Sequence, residues 1–151
     1  MTNQEIADIF RDLSLILEYK GESFYKVNAY RRAYKIISKL QVPISKIYKS
    51  GKLRELKGIG SIIEAKIEEI ISTGELKKHQ HLLSETDPEI LDILRNTDVA
   101  PRVIRKLADF WGKMSWKDLK DIYFSGRMKE AGAGASSIKK IETALKNKHL
   151  L

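Results

Sequence analysis

Apolar residues recur along this chain three or four positions apart, and nowhere do they alternate with polar ones at the period of a strand. Thr2 and Glu5 have the capping-box arrangement. The helix behind them sets Ile6, Ile9, Phe10, Leu13 and Ile16 on one face and Asp8, Arg11 and Asp12 on the other, and Gly21 ends it. A second helix is predicted over 22–40. Ala29, Ala33, Ile36, Ile37 and Leu40 form its inner stripe; Lys26, Tyr30, Arg31, Arg32 and Lys35 lie outward, interleaved with Tyr25 and Tyr34. Pro43 breaks the chain, and short helices follow at 44–49 and 52–55. A longer helix then runs to Gly74, a C-cap glycine, and a further helical piece over 75–83 carries Lys77 and Lys78. Residues 84–88, Ser-Glu-Thr-Asp-Pro, mark the clearest boundary, with Asp87 placed to cap a helix that begins at Pro88. Beyond it, Ile90, Leu91 and Leu94 form one buried face and Val103, Ile104, Leu107 and Phe110 the next. Ser115 caps a helix with Trp116, Leu119 and Ile122 inward, and a last helix runs to Lys148. The pattern predicts an all-α protein of two small helical domains, 1–84 and 88–151.

One short run stands apart from this periodicity. In Leu56-Lys57-Gly58-Ile59-Gly60-Ser61, two glycines one residue apart let the backbone turn tightly. Ser61 is placed to cap the helix that follows. The first-turn N–H groups of that helix lack intrahelical partners, and with the helix dipole they form a site for an anion such as phosphate. A hydrophobic residue between two glycines ahead of a helix is the mark of a helix-hairpin-helix.

The run is repeated. Residues 47–55 read Ile-Tyr-Lys-Ser-Gly-Lys-Leu-Arg-Glu and residues 122–130 read Ile-Tyr-Phe-Ser-Gly-Arg-Met-Lys-Glu. Each leads into a Gly-x-Gly, the second being Gly132 and Gly134, with a one-residue deletion before it. Lys66 then corresponds to Lys140 and Ile67 to Ile141, with Lys139 alongside. A repeated supersecondary unit is structural first; here the unit repeated is the anion-binding one.

Charge strengthens that reading. The chain carries 28 Lys and Arg against 20 Asp and Glu, a net charge of +8, with a pI of about 9.6. Residues 1–84 hold 15 basic and 10 acidic side chains and the rest hold 13 and 10, so both parts are basic. Phosphate polyanions are the partner that such a balance favours. There is no cysteine, which excludes disulfides and thiolate chemistry, and three histidines do not make a zinc site. No apolar run approaches the ~20 residues of a membrane span, and the amino terminus lacks the basic head and apolar core of a signal peptide. The expectation is a cytoplasmic, DNA-associated protein, or a nuclear one in a eukaryote, without membrane contact.

In order and spacing, Lys26-Val27-Asn28-Ala29-Tyr30-Arg31-Arg32-Ala33, then Leu56-Lys57-Gly58-Ile59-Gly60, Ile63-Glu64-Ala65-Lys66-Ile67 and Thr73-Gly74-Glu75-Leu76, resemble the amino-terminal domain of the family X DNA polymerases, the DNA polymerase beta type. Residues 88–148 resemble the domain that follows it there. The resemblance implies that the first domain holds the 5′-phosphate side of a gapped, nicked or 5′-phosphorylated DNA in base excision repair. In some members it is also a lyase that removes a 5′-deoxyribose phosphate through a Schiff base. Lys66 matches the nucleophile; Lys26, Tyr30 and Lys78 match phosphate-binding or supporting positions, with Arg31 beside them. Tyr25 stands where a histidine stacks on a template base. The carbonyls of Arg54, Leu56 and Ile59 match a site for a monovalent cation, Na+ or K+; no other cofactor is implied. Ile62 departs from the pattern, standing where the family has a phosphate-binding lysine. So do Asp98 and Ala100, which replace glycines in the hairpin position over 96–101. That hairpin reads as structural, with Asp98 as cap for the helix beginning at Pro101. Polymerisation in the family needs a palm sheet whose carboxylates hold two metal ions. This sequence has no Asp-x-Asp and no predicted strand, so these residues are expected not to polymerise, whether they belong to a longer polymerase chain or stand alone.

Three functions remain open from the residues. The first is a module that grips DNA backbone without reading sequence, its affinity falling steeply with salt, and with Tyr25 and Tyr30 able to stack on bases. The second is a lyase acting through Lys66, whose attacking amine must be neutral part of the time, below its usual pKa of about 10.4. The third is a scaffold that keeps the hairpin fold but binds protein.

Overall fold

The computed structural model describes all of residues 1–151, and every regular element in it is helical. The helices are α1 (Asn3–Tyr19), α2 (Phe24–Ser38), α3 (Ile44–Lys49), a single 3-10 turn at Leu53–Glu55, α4 (Ser61–Thr73), α5 (Lys77–Glu85), α6 (Pro88–Asn96), α7 (Pro101–Trp111), α8 (Trp116–Ser125), α9 (Met128–Ala131) and α10 (Ala135–Asn147). The all-α class expected from the periodicity is the class found.

Local chemistry sets most of the helix ends. Thr2 Oγ1 accepts the Glu5 amide at 3.1 Å, and Glu5 Oε1 accepts the Thr2 amide at 3.5 Å. Asp87 accepts the Glu89 amide at 2.8 Å with Pro88 at the first helical position, and Gly74 closes α4 in the left-handed conformation. Ser115 accepts the Asp118 amide at 3.0 Å. Helix α2 begins later than the pattern implies, at Phe24, because Ser23 accepts the Lys26 amide and so acts as its N-cap.

The chain forms two compact units, Met1–Ser14 with Glu22–Glu85, and Leu15–Gly21 with Thr86–Leu151, so α1 is divided between them. In the first unit α1 buries Ile6, Phe10 and Leu13, α2 buries Val27, Tyr30, Ala33 and Ile37, and α4 buries Ile63, Ile67 and Ile70. Two residues expected on outer faces lie inward. Tyr30 is only 4% exposed, its ring stacked on Phe10 at 6.3 Å between centroids, because α2 is covered across more than its aliphatic stripe. Asp12 is also buried, and its Oδ2 lies 2.9 Å from Nε2 of His79 on α5.

The second unit packs Leu94, Ile104, Leu107, Trp116, Leu119, Ile122, Met128, Ile141 and Leu145 into one core, with Leu15 and Tyr19 of α1 against it. Asp92 accepts from Trp116 Nε1 at 2.8 Å and from Lys148 Nζ at 2.6 Å, tying the end of α10 to α6. The Lys148 hydrogen bond chiefly holds the Asp92 carboxyl below its ordinary pKa.

The repeat in sequence is a repeat in structure. Helix α3, the 3-10 turn and α4 follow one another as α8, α9 and α10 do. Tyr48 donates to Glu68 and Tyr123 to Glu142, equivalent residues in the two copies, so in each the helix before the glycines is strutted to the helix after them.

Candidate nucleic-acid interface

The two glycine corners share one backbone path. Gly58 and Gly132 take positive φ, +99° and +114°. Gly60 (φ −96°, ψ −175°) and Gly134 (φ −80°, ψ 173°) are extended and serve as N-caps of α4 and α10, neither with a side-chain cap. Between them Ile59 and Ala133 fill their cores at 4% and 3% exposure. Their amides are engaged at 3.0 Å, Ile59 N–H by the Leu56 carbonyl and Ala133 N–H by the Met128 carbonyl. The first helical bonds run from Glu64 N–H to the Gly60 carbonyl (2.9 Å) and from Ile138 N–H to the Gly134 carbonyl (3.0 Å). The amides of Ser61 and Ile62, and of Ala135 and Ser136, therefore precede the hydrogen-bonded ladder, beside Gly60 and Gly134, which are both exposed.

Ser61 does not cap α4 as expected. The helix starts one residue earlier than a Ser61 cap requires, so Gly60 holds the cap position and Ser61 is the first helical residue. The exposed Ser61 hydroxyl is left beside the open amides.

The corner at 96–101 keeps this path with other residues. Asp98 adopts φ +60°, the left-handed conformation that Gly58 and Gly132 supply elsewhere, and Ala100 holds the N-cap position of α7 without a side-chain cap. Asp98 is therefore not the cap of α7; it replaces the first glycine of the corner. An aspartate tolerates this region better than most residues.

Lys26, Lys66 and Lys78 come together in the first unit from α2, α4 and α5. Burial, and then the charges of Lys26 and Lys66, push the Lys78 amine below its ordinary pKa. Lys78 Nζ sits 5.8 Å from the centroid of the Tyr30 ring, so Tyr30 supports Lys78 from the core and is too buried to stack on a base. Tyr25 is 86% exposed, edge-on to Phe24, itself exposed, at 6.4 Å. Sequence alone did not single out Phe24. Arg31 donates to Asn28 Oδ1 at 3.0 Å. Lys139 and Lys140 are exposed on α10, Arg54 is exposed, and Ile62 stands exposed in the first turn of α4.

Another contact had no sequence signal. The methylenes of Arg32 cover Gly58, where an added Cβ would lie 2.7 Å from Cδ; those of Lys106 cover Gly132, at 3.0 Å. In both units a basic stem from the preceding helix system lies across the first glycine.

Open amides, an absence of side-chain caps and flanking cations suit an anion's oxygens, and an amine with a lowered pKa can take up a proton or attack a carbonyl. No helix is long and apolar enough to cross a membrane, and no three His, Asp or Glu side chains are grouped to hold a metal ion. Residues 1–76, from the amino terminus through the first glycine corner and all of α4, match the model of the helix-hairpin-helix domain, and since that stretch is half of the chain, the protein belongs to the helix-hairpin-helix domain family.

Proposed function

We propose that this chain is the DNA-binding region of a family X polymerase-like repair protein, which grips backbone phosphates and the 5′-phosphate at gaps and nicks without reading sequence. Helix-hairpin-helix domains generally bind DNA. The observation that carries the proposal is the shared geometry of the two corners, each with an exposed N-cap glycine and no side-chain cap on the helix start behind it. A phosphate oxygen approaching Gly60 would meet the amides of Ser61 and Ile62 and the Ser61 hydroxyl; one approaching Gly134 would meet those of Ala135 and Ser136, with Lys139 and Lys140 on the same helix. Lys26 and Lys78 would hold the 5′-phosphate, and Tyr25 would stack on an unpaired base.

The Lys26–Lys66–Lys78 cluster supports a second reading, a 5′-deoxyribose-phosphate lyase. Lys66 Nζ would attack the C1′ aldehyde, and loss of water from the adduct would leave an imine. Removal of a C2′ proton then breaks the C3′–O bond, and the 3′-phosphate departs with that electron pair. Lys78, its amine held below the ordinary value, is the neighbour able to take up the proton that Lys66 must shed. Na+ or K+ would sit at the carbonyls of Arg54, Leu56 and Ile59. That of Leu56 already accepts the Ile59 amide, which leaves it a second lone pair for an ion.

One experiment addresses both readings: titration of gapped duplexes bearing and lacking the 5′-phosphate, followed by borohydride trapping on a 5′-deoxyribose-phosphate end. Salt-dependent binding, tighter with the phosphate, is the expected result. A covalent adduct lost in Lys66→Ala adds the lyase. Binding that is absent or indifferent to salt would instead mark a protein-interaction scaffold.

A further inference from the structure

We propose that the cleft between the end of α6 and α10 takes an unpaired guanine base, so that the second unit reads one base where the glycine corners read none. The proposal rests on the DNA-binding reading above. The cleft has a volume of about 320 Å³, and Asn96, Thr97, Asp98, Lys140 and Asn147 are among its lining residues. That size is the small end of the range for ligand sites. Lys140 and Asn147 are two turns apart and so share a face of α10. Asp98, held at φ +60° after α6, brings a carboxylate from the other element. Asp98 and Lys140 are not paired with each other, and neither is paired with another protein group. The Asn147 side-chain amide is also without a protein partner. Asn96 Nδ2 is committed to Asp92, which leaves its own Oδ1 as an acceptor. Thr97 has a buried hydroxyl with no hydrogen-bond partner. Arg95 also lines the cleft, and its charge acts on Asp92. The protein therefore leaves a cation, a carboxylate and an amide unsatisfied in one small concavity.

The first unit provides a comparison within the same chain. Lys106 covers Gly132 as Arg32 covers Gly58. The same offset in numbering relates Lys140 to Lys66 and Ala100 to Lys26. In the first unit Lys66 stands with Lys26 and Lys78, three cations together. In the second, the equivalent of Lys26 is an alanine, and Lys140 shares its cleft with the Asp98 carboxylate. A carboxylate repels a phosphodiester, so the two places suit different ligands. A ligand for opposite charges that are not paired to each other must both donate and accept. On guanine, N1–H and the N2 amine lie side by side as donors, and O6 and N7 lie side by side as acceptors. The donors match the two oxygens of Asp98, and the acceptors match the Lys140 ammonium and the Asn147 amide. Adenine and cytosine set a ring-nitrogen acceptor beside their amine, and thymine sets two carbonyls beside its one N–H, so each would turn a lone pair toward Asp98. In a duplex the pairing cytosine occupies the guanine donors. The cleft would therefore read only a base left unpaired, as in the template strand of a gap, and intact duplex would be held by its phosphates alone.

The test is a titration of the full chain, at one salt concentration, on gapped duplexes whose template gap is all thymine except for one central base. That base is guanine, hypoxanthine, adenine or thymine. The parent is compared with Asp98→Asn, which keeps the side-chain shape, tolerates the left-handed conformation and removes the carboxylate; it is expected to melt as the parent does. The parent should bind the guanine gap about tenfold more tightly than the adenine or thymine gap, within the discrimination that one good bidentate pair gives. Hypoxanthine, which lacks the N2 amine, should lose most of that preference. Asp98→Asn should bind all four gaps alike, and at least as tightly as the parent binds the thymine gap. Equal binding of all four gaps by the parent would overturn the cleft and leave the phosphate grip standing. So would a preference shared by guanine and adenine, which stacking on Tyr25 would produce, or a guanine preference that survives in Asp98→Asn. A parent that binds no gapped duplex would overturn both readings.

Discussion

At Gly58 the backbone stands at φ +99°, and an added Cβ would lie 2.7 Å from Arg32 Cδ and 2.8 Å from Ile36 Cδ1. At Gly60, φ is −96° and nothing lies within 4 Å of such a Cβ. The two glycines therefore serve different purposes. Gly58→Ala forces a left-handed turn on an L-residue and displaces Arg32, and should cost about 2 kcal/mol of stability. Gly60→Ala should cost less than about 1 kcal/mol, the difference between glycine and alanine as an N-cap. It nevertheless puts a methyl where a phosphate would approach the amides. Parallel thermal melts and DNA titrations separate the two: Gly58→Ala should unfold earlier, while Gly60→Ala should fold normally and bind poorly. Normal DNA binding by a folded Gly60→Ala would contradict the cradle. At this scale the sequence reveals that glycines are wanted but not why each is. Asp98 makes the point, since the left-handed turn survives there without a glycine. Ser61 makes it again: its type suits a cap, but the corner has already spent that position on Gly60.

Among elements, α1 and α5 are joined by a contact that periodicity cannot find. Asp12 Oδ2 and His79 Nε2 lie 2.9 Å apart across 67 residues of sequence, and the other ring nitrogen of His79 is buried with no hydrogen-bond partner. Asp12→Ala would leave both ring nitrogens of a buried imidazole without that carboxylate. The expected loss is about 1.5–3 kcal/mol, the range for a hydrogen bond involving a charged group, seen as a lower denaturation midpoint with an unchanged slope in denaturant. Helix α5 carries Lys78 next to His79, so the same variant should also weaken binding of a 5′-phosphate. A midpoint equal to the parent's would show that the pair contributes nothing. The apolar stripe of α1 was fully legible: Ile6, Ile9, Phe10, Leu13 and Ile16 are all buried. So were the caps at Thr2, Asp87 and Ser115, because each depends only on neighbours within one turn. Asp12 and Tyr30 were misplaced for the opposite reason. Helices α1 and α2 are covered on more than one side, and a buried polar residue is fixed by partners far along the chain, Asp12 by His79 and Tyr30 by Phe10 and Lys78.

For the whole molecule, the family match ends at residue 76, while basic charge and the glycine corner both recur beyond it. The link between the halves is the repeat itself: the same positive φ at Gly58 and Gly132, the same uncapped start at Gly60 and Gly134, the same tyrosine strut to Glu68 and Glu142. If both corners hold phosphate, each should contribute separately to the salt dependence of binding. Gly60→Ala and Gly134→Ala are each expected to lower the slope of log affinity against log salt by ~0.9 for every phosphate released, and the double variant by the sum of the two. A duplex of scrambled sequence and equal length should bind the parent within about twofold, since contacts to phosphate carry no base information. A slope that falls for Gly60→Ala but not for Gly134→Ala would confine the grip to the first unit. The second corner would then be a copy that keeps its backbone path for the packing of Ala133, Met128 and Ile141 alone, much as the Asp98 corner keeps its path without the glycines.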